Sequence, residues 1–263
     1  MIMHTEPSTL AAAYQLLECP NCRGGGLRLD EVAKALLCDT CLEQFPESDG
    51  IACFLRTSDE YTENYDQICA DDLREPKTPD IVKRIFTDLV AERVRGKTCD
   101  LGCGDGHVLL RLEAPMKVAV DIAMAYLERL PTSILRLWSH VENVPLSSGS
   151  MDTIVCTDVI EHVLDASALA AEIDRLLAPD GQLLLAFPFE QDLGVYDLPE
   201  YKARFGKYKF VHLRTLSDYS IAGLFPGFEI RFSRLITEGM PLMMFKPYAI
   251  KFMQMVRRRG AGC

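Results

Sequence analysis

The segment at residues 98–106 reads Thr98-Cys99-Asp100-Leu101-Gly102-Cys103-Gly104-Asp105-Gly106 and leads into the apolar residues Val108-Leu109-Leu110. Its start predicts a buried strand, and the alternating glycines predict a tight loop that opens a helix. Glycine lets a backbone approach a ligand closely, and the amino terminus of a helix favours negative groups. The segment therefore predicts a ligand-binding loop, although alone it is equally consistent with any tight strand-to-helix turn.

Further predicted strands follow this loop in the sequence. The second predicted strand ends in Asp121, whose carboxylate is placed either to accept both hydroxyls of a ribose or to cap a helix. Alternation of strand and helix indicates a parallel sheet, which binds ligands at the carboxyl ends of its strands. The predicted strands and the helix between the last two cover residues 117–122, 150–158, 170–177 and 182–187.

The loop does not match the dinucleotide fingerprint G-x-G-x-x-G, because the third glycine would stand at His107. It reads D-x-G-x-G-x-G, which resembles class I S-adenosylmethionine (SAM)-dependent methyltransferases. The resemblance, to the quinone-biosynthesis type, runs from about residue 78 to 235. It implies SAM as the cofactor and a Rossmann-like α/β fold, in which a seven-stranded, mostly parallel sheet carries helices on both faces.

The resemblance also implies where the cofactor binds. In the family, the acid that matches Asp121 holds the SAM ribose. Residues 135–146 resemble the adenine-binding segment, where the family usually has Asp in place of His140, so the backbone of Val141 is left to read the edge of the ring. The implied cofactor-binding residues are Asp100, Gly102, Cys103, Gly104, Gly106, Asp121, Ile122, His140, Val141, Glu142 and Asp158.

Candidates for the chemistry follow the fourth predicted strand. Methyl transfer from a sulfonium is an in-line displacement, so an enzyme mainly positions the acceptor and sometimes removes its proton. In related enzymes a His in the matching Glu-His pair lies near the methyl group, which implies His162 as a general base and Glu161 as the residue that orients it. The alternative is that this pair caps and packs a helix start.

The same residues support a second interpretation. Asp158, Glu161 and His162, joined by His212, resemble the divalent metal site of small-RNA 2′-O-methyltransferases and of some quinone O-methyltransferases. Such an ion would bind two adjacent hydroxyls and lower the pKa of the attacking one. Residues 211–214 also fit a segment of family members that have no metal.

Two C-x-x-C pairs precede this region, with residues 23–37 between them, and their spacing is typical of a four-cysteine zinc site. The alternatives are a redox dithiol, which needs only one pair, or unrelated buried thiols. Residues 13–56 resemble the small zinc-ribbon proteins that serve as activating subunits of methyltransferases. Four cysteines leave no open position on the ion, so the ribbon is predicted to be structural rather than catalytic. The predicted ligands are Cys19, Cys22, Cys38 and Cys41.

Composition limits the partners. The chain has 263 residues, 48% hydrophobic and 25% charged, which indicates a folded globular protein. Its formal net charge of −10 argues against general binding to nucleic acid or anionic lipid. The first ten residues contain no Lys or Arg and no long apolar run, so we expect no signal peptide, a cytoplasmic location and reduced cysteines.

The rest of the chain supplies connecting and pocket segments. Residues 57–77 are predicted to be a linker or lid, and residues 78–263 the methyltransferase domain. Residues 201–214 interleave rings and cations, which favours either an insertion that forms the acceptor pocket or a solvated lid. Met240 to Arg259 predicts the last strand and an amphipathic helix, which allows membrane-surface contact or, as the preferred interpretation, a core or subunit contact such as a homodimer.

These expectations combine into one functional hypothesis. The sequence predicts a SAM-dependent methyltransferase that modifies a small-molecule acceptor, most plausibly at oxygen. An RNA methyltransferase with a zinc recognition domain is an alternative, which the acidic pI disfavours. A non-catalytic partner protein that keeps the methyltransferase fold is another, and the intact Asp100, loop glycines and Asp121 argue against it.

Overall fold

The computed structural model describes residues 13–56, 59–74, 81–189, 199–238, 242–243, 246–247 and 249–258. Residues 13–56 form four short strands, each antiparallel to the next along the chain. A meander of this length carries little core of its own, so it depends on metal or on neighbouring structure for stability. The strands are β1 (Leu27–Asp30), β2 (Ala35–Cys38), β3 (Gln44–Ser48) and β4 (Ile51–Cys53).

Seven further strands form the sheet of the second part of the chain. They stand in the order β7-β6-β5-β8-β9-β13-β10, and only β13 runs against the other six. This arrangement confirms the predicted seven-stranded, mostly parallel sheet. The bounds are β5 (Thr98–Leu101), β6 (Lys117–Asp121), β7 (Leu135–Trp138), β8 (Met151–Thr157), β9 (Leu177–Pro188), β10 (Phe228–Ile236) and β13 (Ile250–Arg257), while β11 (Leu242–Met243) and β12 (Lys246–Pro247) form a separate pair.

Helices cover both faces of the sheet, as predicted. Alternate side chains along the strands enter one of two buried apolar clusters, one on each face. One cluster receives α2 and α3, and the other receives α4 and α6. The helices are α1 (Glu60–Arg74), α2 (Ile81–Ala91), α3 (Met124–Leu127), α4 (Ala166–Leu176), α5 (Pro199–Phe205) and α6 (Asp218–Leu224).

The prediction of a helix directly after the glycine loop is wrong. The loop leads only into a 3-10 turn at Leu109–Arg111, and Leu112 is already extended. Pro115 follows closely, and a proline excludes helical continuation through the residue before it. The loop therefore offers its own backbone groups to a ligand, without the dipole of a long helix behind them.

The four-stranded meander, which we call the ribbon (residues 13–56), is continuous with the main sheet. Its last strand pairs in parallel with β7, in the register Ile51↔Arg136 and Cys53↔Trp138, so the two parts share one eleven-stranded sheet. Leu17 and Phe45 lie in the same buried cluster as the main strands. The two predicted domains thus share a hydrophobic core.

Residues 250–257 of the C-terminal segment form a strand, which confirms the expectation that part of residues 240–259 is a strand of the sheet, and the predicted amphipathic helix does not include them. This strand, β13, lies between β9 and β10 and is hydrogen-bonded to both. It is therefore an inner strand of the sheet. Arg257 binds Asp174 at 2.7 Å and the carbonyl of Ala178 at 2.8 Å, at the end of α4. No helix in the described part of the chain is long and apolar enough to cross a bilayer.

Candidate active site

The three glycines of the loop have left-handed backbones, with φ of 71° at Gly102, 51° at Gly104 and 72° at Gly106. Residues with a Cβ rarely adopt this conformation. A Cβ on the first would lie 2.4 Å from Val159, and one on the third 2.2 Å from Leu130. A Cβ on Gly104 would meet nothing within 4 Å. The outer glycines allow close packing, and the middle one borders open space that a ligand can enter.

Asp121 lies at the carboxyl end of β6, beside this space. One carboxylate oxygen accepts a hydrogen bond from the backbone nitrogen of Gly104 at 2.8 Å, and the other from that of Ala123 at 2.9 Å. Burial raises the pKa of Asp121 to about 6, although these amide donors oppose the shift. Asp100 is 2% exposed, and burial together with Asp121 raises its pKa well above the usual range.

The predicted adenine segment follows β7 at the same edge. The indole nitrogen of Trp138 donates to the carbonyl of Ile122 at 2.7 Å, which joins the ends of β7 and β6. The next residues form a turn in which the nitrogen of Asn143 donates to the carbonyl of His140 at 3.3 Å. Glu142 lies in this turn, and burial raises the pKa of its carboxyl. The structure therefore brings the predicted ribose and adenine residues together.

His162 is held by a backbone group that the sequence did not indicate. Its Nδ1 lies 2.6 Å from the carbonyl oxygen of Val211, and since a carbonyl only accepts, Nδ1 carries the hydrogen. Nε2 is then the basic nitrogen, 3.6 Å from Glu161. Burial, and secondly His212, lower the pKa of His162 to about 3. Val211 orients the ring, whereas Glu161 faces the nitrogen that would accept a proton.

The four-residue metal set does not form as predicted. Candidate ligand atoms of Glu161, His162 and His212 lie within 4.8 Å of one another, but Asp158 does not belong to this group. Asp158 sits in a left-handed conformation with φ of 54°, and its exposed side chain follows β8. Its backbone nitrogen donates to the carbonyl of Ala186 at 3.1 Å. The left-handed turn separates this side chain from the other three.

Helix α1 lies across the site, inside the segment predicted as a linker or lid. Tyr61 donates from its hydroxyl to the carbonyl of His162 at 3.3 Å, and the Tyr65 ring lies 6.1 Å from the His162 ring. The Tyr65 hydroxyl is buried beside the Tyr61 hydroxyl and has no hydrogen bond of good geometry to a described residue. Burial raises its pKa, and Tyr61 and then the carboxylates of Glu161 and Asp121 add to the shift. The four-residue spacing of the two tyrosines is the signal that predicts one helical face.

Residues 207–210 tie the predicted pocket insertion to α1. The Asn64 side chain donates to the carbonyl of Phe210 at 2.8 Å and accepts from the backbone nitrogen of Lys209 at 2.8 Å. Asp71 accepts from Lys207 and Tyr208, each at 2.8 Å, and the lysine lowers the pKa of Asp71 to about 2. A cavity of about 190 Å³ opens beside these contacts, lined by Tyr201, Lys202, Gly206, Tyr208, Lys209, Val211 and His212.

The four ribbon cysteines converge. The Sγ atoms of Cys19 and Cys41 lie 3.6 Å apart, as do those of Cys22 and Cys38, and all four lie within 4.8 Å of one another. Zn–S bonds of about 2.3 Å in a tetrahedron require S–S edges of about 3.8 Å. Backbone nitrogens of Thr40 and Cys41 point at the Cys38 sulfur, each at 3.4 Å. The cluster fits the coordination that zinc prefers.

Residues 99–185 match the sequence family described as a methyltransferase domain, from β5 through the glycine loop and His162 to β9. The ubiquinone biosynthesis O-methyltransferase of Xanthomonas oryzae pv. oryzae is 34% identical over 110 residues, which cover 38% of this chain and 44% of that protein. The enzyme of the same name from Xanthomonas campestris pv. campestris is 33% identical over 113 residues, covering 38% and 47%. Residues 99–185 of this chain are thus a stretch of methyltransferase-domain sequence.

The methyltransferase domain also resembles solved structures. A SAM-dependent methyltransferase from Thermotoga maritima superposes with a TM-score of 0.58 at 17% identity, covering 74% of this chain and 99% of that one. A Haloferax volcanii complex that contains the Trm112 methyltransferase activator gives 0.59 at 13% identity, covering 77% and 100%. At these identities the likeness establishes the fold. The chain spans less than half the length of the curated relatives it matches.

Proposed function

We propose that this protein transfers the methyl group of SAM to an oxygen atom of a small-molecule acceptor. The observation that supports this most is the place of Asp121, whose carboxylate is fixed beside the open side of Gly104. Such a carboxylate accepts hydrogen bonds from ribose hydroxyls. His140 to Glu142 would lie along the adenine, and the backbone of the loop from Gly102 to Gly106 would face the rest of the cofactor.

The protein's own residues then supply position and proton transfer. Bound SAM supplies an electrophilic methyl group on a sulfonium centre. His162 offers the lone pair of Nε2 to the hydroxyl proton of the acceptor, because Val211 occupies Nδ1. Burial lowers the pKa of His162 to about 3, so the ring is neutral and its Nε2 can accept a hydrogen bond from the acceptor hydroxyl. The Glu161 carboxylate at 3.6 Å would stabilise the imidazolium that forms.

The acceptor pocket is assigned to the cavity beside residues 201–212. His212 lines this cavity, and its ring centroid lies 4.8 Å from that of His162, so an acceptor bound there reaches the base. Tyr201 and Tyr208 line the same cavity, together with Lys202 and with Lys209, whose ammonium is paired with Glu60 at 2.5 Å. The tyrosine side chains of this lining suit an acceptor that contains a ring. The O-methyltransferase names of the relatives support the choice of oxygen.

The ribbon is proposed to hold one structural zinc ion through Cys19, Cys22, Cys38 and Cys41, because their sulfurs have tetrahedral spacing. The described cysteines outside this set are also free thiols. This usage supports a reducing, cytoplasmic setting. A homodimer and a membrane-surface contact stay predictions.

The experiment that tests the function combines binding with labelled transfer. Calorimetry measures SAM and S-adenosylhomocysteine (SAH) affinity, and deuterated-methyl SAM is then incubated with a small-molecule extract and, separately, with RNA. We expect a mass increase in a small hydroxylated compound, with His162→Ala as the inactive control. Label in RNA would favour the alternative of an RNA methyltransferase. SAH binding without transfer to either would favour the non-catalytic alternative.

A further inference from the structure

The segment of residues 139–147 follows β7, and the ribbon holds its second half, residues 143–147. The backbone nitrogen of Ser147 donates to the carbonyl of Leu16 at 2.8 Å, and that of Glu18 donates to the carbonyl of Pro145 at 3.1 Å. Leu17 forms an isolated antiparallel bridge with Leu146. The ribbon thus extends beyond the β4–β7 pairing and reaches the turn at the edge of the proposed cofactor site.

Arg23 makes the contact that lies nearest to this turn. Its guanidinium donates to the carbonyl oxygen of Val144 at 2.9 Å and to the side-chain oxygen of Asn143. The position of Arg23 is set by the cysteine knuckle, since its backbone nitrogen donates to the carbonyl of Cys19 at 3.0 Å and its φ is 51°. The fold of the knuckle therefore determines where this guanidinium points.

Two residues of α4, Glu172 and Arg175, contact the backbone of Val144, which Arg23 also contacts. Glu172 of α4 is 6% exposed, accepts from the backbone nitrogen of Val144 at 2.6 Å and lies 3.4 Å from the Arg23 guanidinium. Arg175 donates to the carbonyl of Val144 at 2.9 Å and to Glu172 at 2.7 Å. Charged hydrogen bonds of this kind, in a partly buried place, are among the stronger ones in proteins. Val144 is therefore fixed jointly by the ribbon and by α4.

We infer that Arg23 is a positioning residue for the cofactor: through Asn143 and Val144 it holds the His140–Glu142 turn in the shape that binds adenine, so the ribbon forms part of the SAM site. This inference rests on the proposed function, which places adenine at that turn. A second set of contacts connects the ribbon to the proposed ribose site. Strand β4 pairs with Trp138, and the indole nitrogen of Trp138 donates to the carbonyl of Ile122, the residue after Asp121. The ribbon thus contacts both of the segments that border the proposed site.

The test compares Arg23→Ala with Arg28→Ala, a matched control in the same ribbon whose exposed guanidinium lies 3.6 Å from Asp39. Zinc content shows whether the ribbon remains intact. Hydrogen exchange across residues 139–147 without ligand reports the turn itself. SAH affinity is measured by calorimetry and by the fluorescence of Trp138, the single tryptophan of the chain.

For Arg23→Ala we expect faster exchange at residues 139–147 and SAH binding weakened about 5–20-fold, with zinc retained. Arg28→Ala should match the unaltered protein in all three measurements. If Arg23→Ala fails to fold, Asn143→Ala removes the partner from the other side and should show the same pattern. Unchanged SAH affinity in a zinc-loaded Arg23→Ala protein would overturn the inference, whatever its exchange. Absence of SAH binding by the unaltered protein would overturn the proposed function instead.

Discussion

The carboxylate of Asp121 and the backbone nitrogen of Gly104 lie 2.8 Å apart, so the acid at the end of β6 holds the middle of the glycine loop. Its second oxygen is bonded to the nitrogen of Ala123. The carboxylate is thereby oriented before any ligand arrives, and the loop and the acid form one preorganised unit.

Replacement of Asp121 tests this unit. Asp121→Ala should reduce SAH affinity by at least about 100-fold, because the ribose loses a charged hydrogen-bond acceptor and Gly104 loses its anchor. Circular dichroism checks that the fold persists in this variant, in which the backbone nitrogens of Gly104 and Ala123 lose their acceptor. The surface variant Asp39→Ala serves as the control. Wild-type affinity in Asp121→Ala would overturn the placement of the ribose.

The pKa of about 6 at Asp121 predicts a pH dependence of binding. The ionised carboxylate is the form that accepts hydroxyl hydrogen bonds, and protonation removes it. SAH affinity should therefore be constant above pH 6 and fall about tenfold for each pH unit below it. Calorimetry from pH 5 to pH 8 measures this, and Asp121→Asn should lack the decline. A decline that persists in Asp121→Asn would assign the titration to another group.

His162 should add no pH dependence of its own between pH 5 and pH 8. Its pKa of about 3 means that the ring is already neutral and active above pH 4, so it adds no acid limb between pH 5 and pH 8. His162→Ala should lower kcat about 100-fold with little change in SAH affinity, because the lost group acts on the acceptor proton. Steady-state kinetics with the labelled acceptor measures both. Retained turnover would return His162 to a structural role.

Tyr65→Phe separates catalytic use from packing. The hydroxyl is buried beside that of Tyr61 without a hydrogen bond of good geometry to a described residue, so its removal should change the melting temperature little. If the hydroxyl bonds a ligand in the closed site, kcat/KM should fall about tenfold in the same variant. Tyr219→Phe is the control, because Tyr219 is 90% exposed. Unchanged kinetics would limit Tyr65 to covering the site.

The sequence anticipated those parts of the molecule whose signal lies in side-chain spacing. The strands were visible because apolar runs such as residues 183–187 are buried on both faces of a parallel sheet. The cysteine cluster was visible because thiol ligands need fixed spacing. Asp121 stood out as an acid at a strand end, and the structure places it beside the loop.

Other features of the structure could not be predicted from the spacing of side chains. The group that orients His162 is a backbone carbonyl, which every residue carries, and Val211 lies far from it in the chain. The role of Arg23 depends on a knuckle whose partner surface is set by tertiary packing. The helix expected after Gly106 is replaced by a 3-10 turn that ends at Arg111, and the apolar residues 108–110 alone do not distinguish the two.

Metal removal tests how far the ribbon and the catalytic domain unfold together. The ribbon shares its core and its last strand with the main sheet, so loss of zinc should lower the melting temperature of the whole protein and shift the emission of Trp138. Cys41→Ser should bind less than one zinc ion per chain, while Cys69→Ser, at a buried cysteine of α1, should retain one. A melting curve unchanged by chelation, with zinc shown to be gone, would mean that core packing alone holds the ribbon in place. A second divalent ion that remains in Cys41→Ser would point to the Glu161, His162 and His212 group.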